Sequence, residues 1–200
     1  YMARAIELAQ RGLYTTDPNP RVGCVLVKEG LVVGEGWHQK AGEGHAEVNA
    51  IAAAGVDTQG ATAYVTLEPC SHFGKTPPCC DALIKAKVAK VVAAMTDPNP
   101  QVAGNGFNML RAAGIEVVDN CLAADSAKLN PGFIKRMSLV GANQQALPYV
   151  RLKMATSLDG RTAMQSGESQ WITGPEARAE VQKIRAQSCA IICGADSVLI

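Results

Sequence analysis

Three residues able to bind a soft divalent metal and one able to move protons stand out in the sequence: His45, Cys70 and Cys79, with Glu47. One imidazole and two thiolates make a three-ligand set for zinc that leaves a fourth position open for water. An open zinc site acidifies the water it holds. A carboxylate two residues beyond the histidine is not needed as a ligand and is free to shuttle protons. The chemistry implied is metal-assisted hydrolysis, with a proton passed to a leaving amine. Residues two apart do not share a helix face, so His45 must lie at the very end of its helix, with the metal beyond it.

The set follows His-x-Glu … Pro-Cys-x-x-Cys, the zinc deaminase signature, except that the last spacing is Cys-x8-Cys. Plainer readings exist for each part. A lone His-x-Glu is commonly a solvated helix start, and Cys79-Cys80 could be buried thiols. A closed structural site would draw a fourth ligand from Cys80, His72 or Cys24.

The elements that must position these residues follow from periodicity and breakers. Met2, Ala5, Ile6, Ala9 and Leu13 share one helical face. Residues 16–20 form a rigid loop whose two prolines exclude helix. Val22 to Val27 and Leu31 to Trp37 read as a hairpin around Lys28-Glu29-Gly30. A helix is expected from about His45 to Ala54, and a buried strand from Ala63 to Leu67 delivers Glu68-Pro69-Cys70. Pro77-Pro78 starts a helix over Cys79 to Ala86. Val88 to Met95 is a strand, about Gly106 to Ala113 a helix, and Ile115 to Val118 a short strand. Ser126 to Met137 reads as helix interrupted at Pro131-Gly132, and Ser138 to Leu147 as a linker. A β run begins at Tyr149, Asp159-Gly160 turns, Thr173-Gly174-Pro175-Glu176 caps a helix to about Gln187, and Ala190 to Cys193 is a strand. Alternating strands and helices indicate an α/β layered domain with its site at the strand ends.

Composition narrows the function. The chain has 200 residues, 48% of them hydrophobic, and a formal net charge of +1. That balance favours a small-molecule substrate over nucleic acid, since a phosphate-backbone binder carries a basic excess. No apolar run approaches a membrane span and no signal peptide is visible. Seven cysteines with no disulfide-like spacing point to a reducing, cytoplasmic setting. The chain starts at Tyr1 rather than Met and stops inside the apolar run Ser197-Val198-Leu199-Ile200, so a longer natural chain is expected.

The string from Thr66 to Cys79, Thr-Leu-Glu-Pro-Cys-Ser-His-Phe-Gly-Lys-Thr-Pro-Pro-Cys, resembles the bifunctional pyrimidine deaminase/reductase family of riboflavin biosynthesis. So do His45-Ala46-Glu47-Val48, Asp17-Pro18-Asn19-Pro20, Asp97-Pro98-Asn99-Pro100, Leu158-Asp159-Gly160-Arg161 and Ser169-Gln170-Trp171-Ile172-Thr173. The resemblance implies a cytidine-deaminase-like three-layer α/β domain over residues 1–140. The N-terminal part of a dihydrofolate-reductase-like α/β domain would occupy 148–200. It implies zinc-dependent loss of the 2-amino group from 2,5-diamino-6-ribosylamino-4(3H)-pyrimidinone 5′-phosphate, then NADPH-dependent reduction of the ribosyl to a ribityl chain. Glu47 would be catalytic, with His45, Cys70 and Cys79 on the metal. Asn19, His38, His72, Lys75, Asp97 and Asn99 would bind substrate in the first domain, with Lys75 on the phosphate. Ser169 and Arg185 would bind it in the second, where Ala155, Trp171 and Ser197 would lie near NADPH. Each has a plainer role open to it: turn residues for Asn19, Asp97 and Asn99, a solvated loop cation for Lys75, core for Trp171, a helix C-terminal cation for Arg185. Asp159 reads as part of a tight turn rather than a proton donor. A homo-oligomer without nucleic-acid or membrane partners is expected. The rival reading is a zinc aminohydrolase of a free nucleoside, guanine or a tRNA base.

Overall fold

Apolar residues at alternating strand positions must be buried on whichever faces of a sheet are covered, and here both are. In the computed structural model, which describes residues 1–74 and 76–195, the hairpin strands are β1 (Gly23–Lys28) and β2 (Leu31–Trp37). Three further strands are β3 (Thr62–Val65), β4 (Lys90–Ala93) and β5 (Glu116–Val118). They form one sheet in the order β2-β1-β3-β4-β5. β1 runs antiparallel to β2 and β3, while β3, β4 and β5 are parallel. Cys24 faces Val65 across the ladder, and Val65 faces Ala93.

Side chains alternate across this sheet. Cys24, Leu26, Ala63, Val65, Val91 and Ala93 enter one core with helices α2 (Ala46–Ala54), α3 (Cys79–Lys85) and α4 (Asn105–Ala112). Val25, Val27, Val92 and Ala94 face the other way, onto α1 (Met2–Gln10) through Met2, Ala5 and Leu8. Helix, sheet and helix make the expected three-layer α/β architecture. Truncating a fully buried core side chain such as Leu26 or Leu83 should cost about 2–5 kcal/mol. The seat of α2 is unusually close: a Cβ at Gly36 would collide with the Ala46 carbonyl oxygen, so only glycine lets the helix start lie on β2.

The interrupted pattern after Ala123 resolves into two helices, α5 (Ala123–Ala127) and α6 (Pro131–Gly141). Pro131 begins α6 instead of breaking it, because the first turn has no intrahelical partner for its missing N–H. α6 therefore continues through the first part of the expected linker.

The chain divides into two compact units, Tyr1–Tyr149 and Val150–Ile200. The second holds α7 (Pro175–Ala186), as the Gly174-Pro175 signal predicts. It also holds the turn at Asp159-Gly160, where Arg161 O accepts the Ser157 N–H at 2.9 Å and Gly160 has φ +81. The expected strands at Tyr149–Ala155 and Ala190–Cys193 do not form. A strand exists only as half of a ladder, and no partner segment pairs with either among the described residues. Among the described residues no helix is long and apolar enough to cross a membrane.

Candidate metal centre and its pocket

The metal set is assembled from three elements. His45 is the N-cap of α2, extended at φ −74 and ψ 170, so its ring projects away from the helix that carries Glu47. The geometric condition placed on the pair by their spacing is thus met. Cys70 lies in the loop after β3, and Cys79 opens α3. Their donor atoms all fall within 4.8 Å of one another. His45 Nδ1 is 3.2 Å from Cys79 Sγ and 3.6 Å from Cys70 Sγ. Tetrahedral zinc with ordinary bond lengths separates N and S ligands by about 3.5 Å, so the donors fit that ion in type and spacing.

Charge within the set is shared unequally. The Cys79 thiol and its backbone N–H both point at Cys70 Sγ, the latter at 3.3 Å. Cys70 is therefore held well below the usual thiol range, and its thiolate pushes Cys79 up. The N–H at the start of α3 thus serves Cys70. The same thiolate hydrogen-bonds His45 and raises its pKa, opposite to the effect expected of a helix N-terminus alone. A divalent cation would displace the protons these donors share. The closed-site alternative loses its nearest ligand. Cys80 is fully buried and its thiol turns away to donate to the carbonyls of Pro69 and Gly106, at 3.3 and 3.5 Å.

Glu47 is buried beside the set, hydrogen-bonded to Cys79, and its carboxyl is pushed up to about 7, mainly by burial and then by the Cys70 thiolate. It lines a cavity of about 410 Å³ together with His45 and Cys70. Asn19, His38, His72, Asp97 and Asn99 line the same cavity, so the structure brings together every described residue expected there. Lys75 and Ser197 lie outside the described residues.

His38 is 2% exposed, and both ring nitrogens are occupied. Nδ1–H donates to the Gly44 carbonyl at 3.1 Å, leaving Nε2 to accept from Asn19 Nδ2, also at 3.1 Å. Burial lowers its pKa, in keeping with a neutral ring. Asp97 Oδ1 accepts the Asn99 N–H at 2.8 Å, an Asx turn, and burial followed by the Glu68 charge raises Asp97 to about 6.

Two contributors escape any reading of motifs. Glu68 is buried, and its carboxylate accepts backbone N–H groups of Asp97 and Gly104 on one oxygen and of Gly106 and Phe107 on the other. The second is α6, which sends Phe133, Arg136 and Met137 to the cavity wall. Its placement depends on Asn130, whose side chain pairs with the backbone of Arg21 at 2.8 and 2.9 Å. Asn-Pro at a helix start was the available signal for α6 itself, not for its target.

In the second unit, Trp171 is exposed and stacks under Arg178, whose guanidinium carbon is 4.4 Å from the ring centroid, so it is not core. Ser169 and Arg185 are exposed and Ala155 is half-buried.

Residues 1–95 match the cytidine and deoxycytidylate deaminase zinc-binding region, and residues 148–200 match the RibD C-terminal domain. The chain is 61% identical over 199 residues to the riboflavin biosynthesis protein RibD of Escherichia coli (strain K12), covering 100% of this chain and 53% of that protein. The solved structure of Acinetobacter baumannii RibD superposes with a TM-score of 0.91 at 60% identity, covering 100% of this chain and 54% of the other. A diaminohydroxyphosphoribosylaminopyrimidine deaminase/5-amino-6-(5-phosphoribosylamino)uracil reductase from Thermotoga maritima superposes with a TM-score of 0.90 at 43% identity, covering 100% and 56%. The chain spans about half the length of the curated relatives it matches.

Proposed function

For a chain that belongs to the riboflavin biosynthesis RibD family, we propose zinc-dependent hydrolytic deamination of 2,5-diamino-6-ribosylamino-4(3H)-pyrimidinone 5′-phosphate. The observation that carries this reading is the convergence of His45, Cys70 and Cys79 on one another, with His45, Cys70 and buried Glu47 lining one cavity. Water adds at C2 of the ring, the C2–N bond breaks, and the amino group leaves as ammonia.

Zinc, when bound by the three donors, supplies acidified water at neutral pH. Glu47 takes the proton from water and returns it to the departing nitrogen. Burial raises the Glu47 carboxyl, which suits it to take up a proton and hand it on. His38, fixed by Gly44, orients the Asn19 amide so that its carbonyl oxygen is left to accept from a ring N–H. That gives His38 a positioning role beside its place in the cavity lining. Asp97 and Asn99 hold the ribosyl side of the cavity, and His72 and Lys75 come from the loop created by the eight-residue spacing. In the complete protein the second unit would contribute Ser169 and Arg185 to substrate, and Ala155, Trp171 and Ser197 to NADPH, for the reductive step.

Ammonia release from the diaminopyrimidine ribotide, cytidine, guanine and a tRNA substrate tests the assignment. Turnover of the ribotide alone is expected; turnover only of the others would sink it in favour of a general aminohydrolase. Reduction is tested on the full-length protein by NADPH oxidation coupled to the deaminated product.

A further inference from the structure

The cavity wall formed by α6 contains an arginine with no assigned task. Phe133, Arg136 and Met137 are spaced i, i+3 and i+4, so they share one helix face, and all three line the cavity. That face is held in place at its start by the Asn130–Arg21 pairing, directly after the Pro18-Asn19-Pro20 segment that also lines the cavity. Arg136 is therefore presented by a rigid element rather than by a loop.

Arg136 is half-buried, and its guanidinium is incompletely partnered. Arg136 Nε is buried with no hydrogen-bond partner, the one such side-chain atom found among the described residues. No ion pair reaches Arg136 among those residues either. Buried donors in native proteins are paired almost without exception, so an unpaired one on a residue that lines a cavity calls for an acceptor. The rest of the lining makes the sign of that acceptor plain. Glu43, Glu47, Glu68 and Asp97 are all carboxyl groups, and Arg136 is the one Lys or Arg among the described lining residues. Among the described lining residues, an anionic ligand finds a permanent side-chain cation only at Arg136.

We infer that Arg136 is a specificity-determining residue that binds the phosphate monoester of the substrate from the α6 wall, directing the other end of the molecule to the metal centre. The guanidinium fork suits two phosphate oxygens at once, which a flexible lysine cannot match in direction. The inference rests on the deaminase reading for its substrate and deepens it, since it names which group of the substrate the α6 wall reads.

The test compares zinc-loaded wild type, Arg136→Gln and Arg136→Lys on the ribotide and on the same compound lacking phosphate. Zinc content and thermal melting verify that the variants are folded. Arg136→Gln should lower kcat/KM on the ribotide by roughly ten- to a hundred-fold while barely changing it on the dephosphorylated compound, with Arg136→Lys in between. An equal loss on both compounds overturns the inference and places Arg136 on the ring or in the scaffold. Should wild type turn over neither compound, the deaminase reading fails on its own. Calorimetric binding of ribose 5-phosphate then still decides the anion site: weaker binding to Arg136→Gln than to wild type supports it, and equal binding overturns it.

Discussion

Glu68 Oε1 accepts the backbone N–H of Gly106 at 2.9 Å, at the first turn of α4 and on the far side of a loop from Asp97. Its other oxygen takes the N–H of Gly104 at 2.9 Å and of Asp97 at 3.1 Å. One buried carboxylate, two residues before Cys70, thus ties the loop carrying Asp97 and Asn99 to the loop carrying a metal ligand. A side chain at Gly106 would collide with the Pro69 carbonyl, so the two segments touch backbone to backbone.

Replacing Glu68 with Ala leaves several buried N–H groups without an acceptor. At about 1–3 kcal/mol for each such group, partly relieved by relaxation, a total loss of about 3–5 kcal/mol is expected. For a chain of this size that lowers the melting temperature by roughly 10 °C. Glu68→Gln should also destabilise, because either orientation of the amide sets an NH2 against two donors. Thermal unfolding of both variants checks this; a Gln variant as stable as wild type would show that the clamp does not need its charge.

Glu47→Gln should retain one equivalent of zinc and lose about 10²–10⁴-fold in deamination, the usual range for removing a general acid–base group. Metal analysis and ammonia release on the same preparation separate the two effects. Zinc loss in this variant would instead make Glu47 part of the metal site.

Cys80 and Cys79 are neighbours with different fates, and substitution should expose the difference. Cys80→Ala is expected to keep stoichiometric zinc at a modest stability cost, whereas Cys79→Ala, Cys70→Ala and His45→Ala should each lose it. Chelation of wild type should lower its melting temperature, because a ligand bound only by the folded state stabilises that state. A zinc-deficient Cys80→Ala would revive a four-ligand site.

Asp97 is held at about 6, above the unfolded carboxyl range, by burial and the Glu68 charge. A raised folded pKa means the folded state binds the proton more tightly. The destabilisation is absent below about pH 4, grows as pH rises towards 6, and is full above it. The loss amounts to roughly 3 kcal/mol at most. Asp97→Asn keeps an oxygen for the Asn99 N–H and should be more stable than wild type at pH 8, with the gain gone at pH 4. Denaturant melts at the two pH values measure it; a gain equal at both would point to packing rather than charge.

The metal donors and the proton-moving carboxylate were legible in the sequence because their identities and local spacing encode the chemistry directly. Strand alternation likewise determined which side chains enter which core, and Cys24, Val25 and Leu26 show it residue by residue. What tertiary structure decided was everything that depends on one segment meeting another. Cys70 is lowered and Cys79 raised because the thiol and the N–H at the start of α3 both point at Cys70 Sγ. His38 has both ring nitrogens engaged within the protein because Gly44 and Asn19 close over them. The Tyr149–Ala155 and Ala190–Cys193 runs have strand composition but no ladder, since β structure is a property of pairs. Arg136 reaches the cavity through the pairing of Asn130 with Arg21, a contact spanning more than a hundred residues that no local pattern announces.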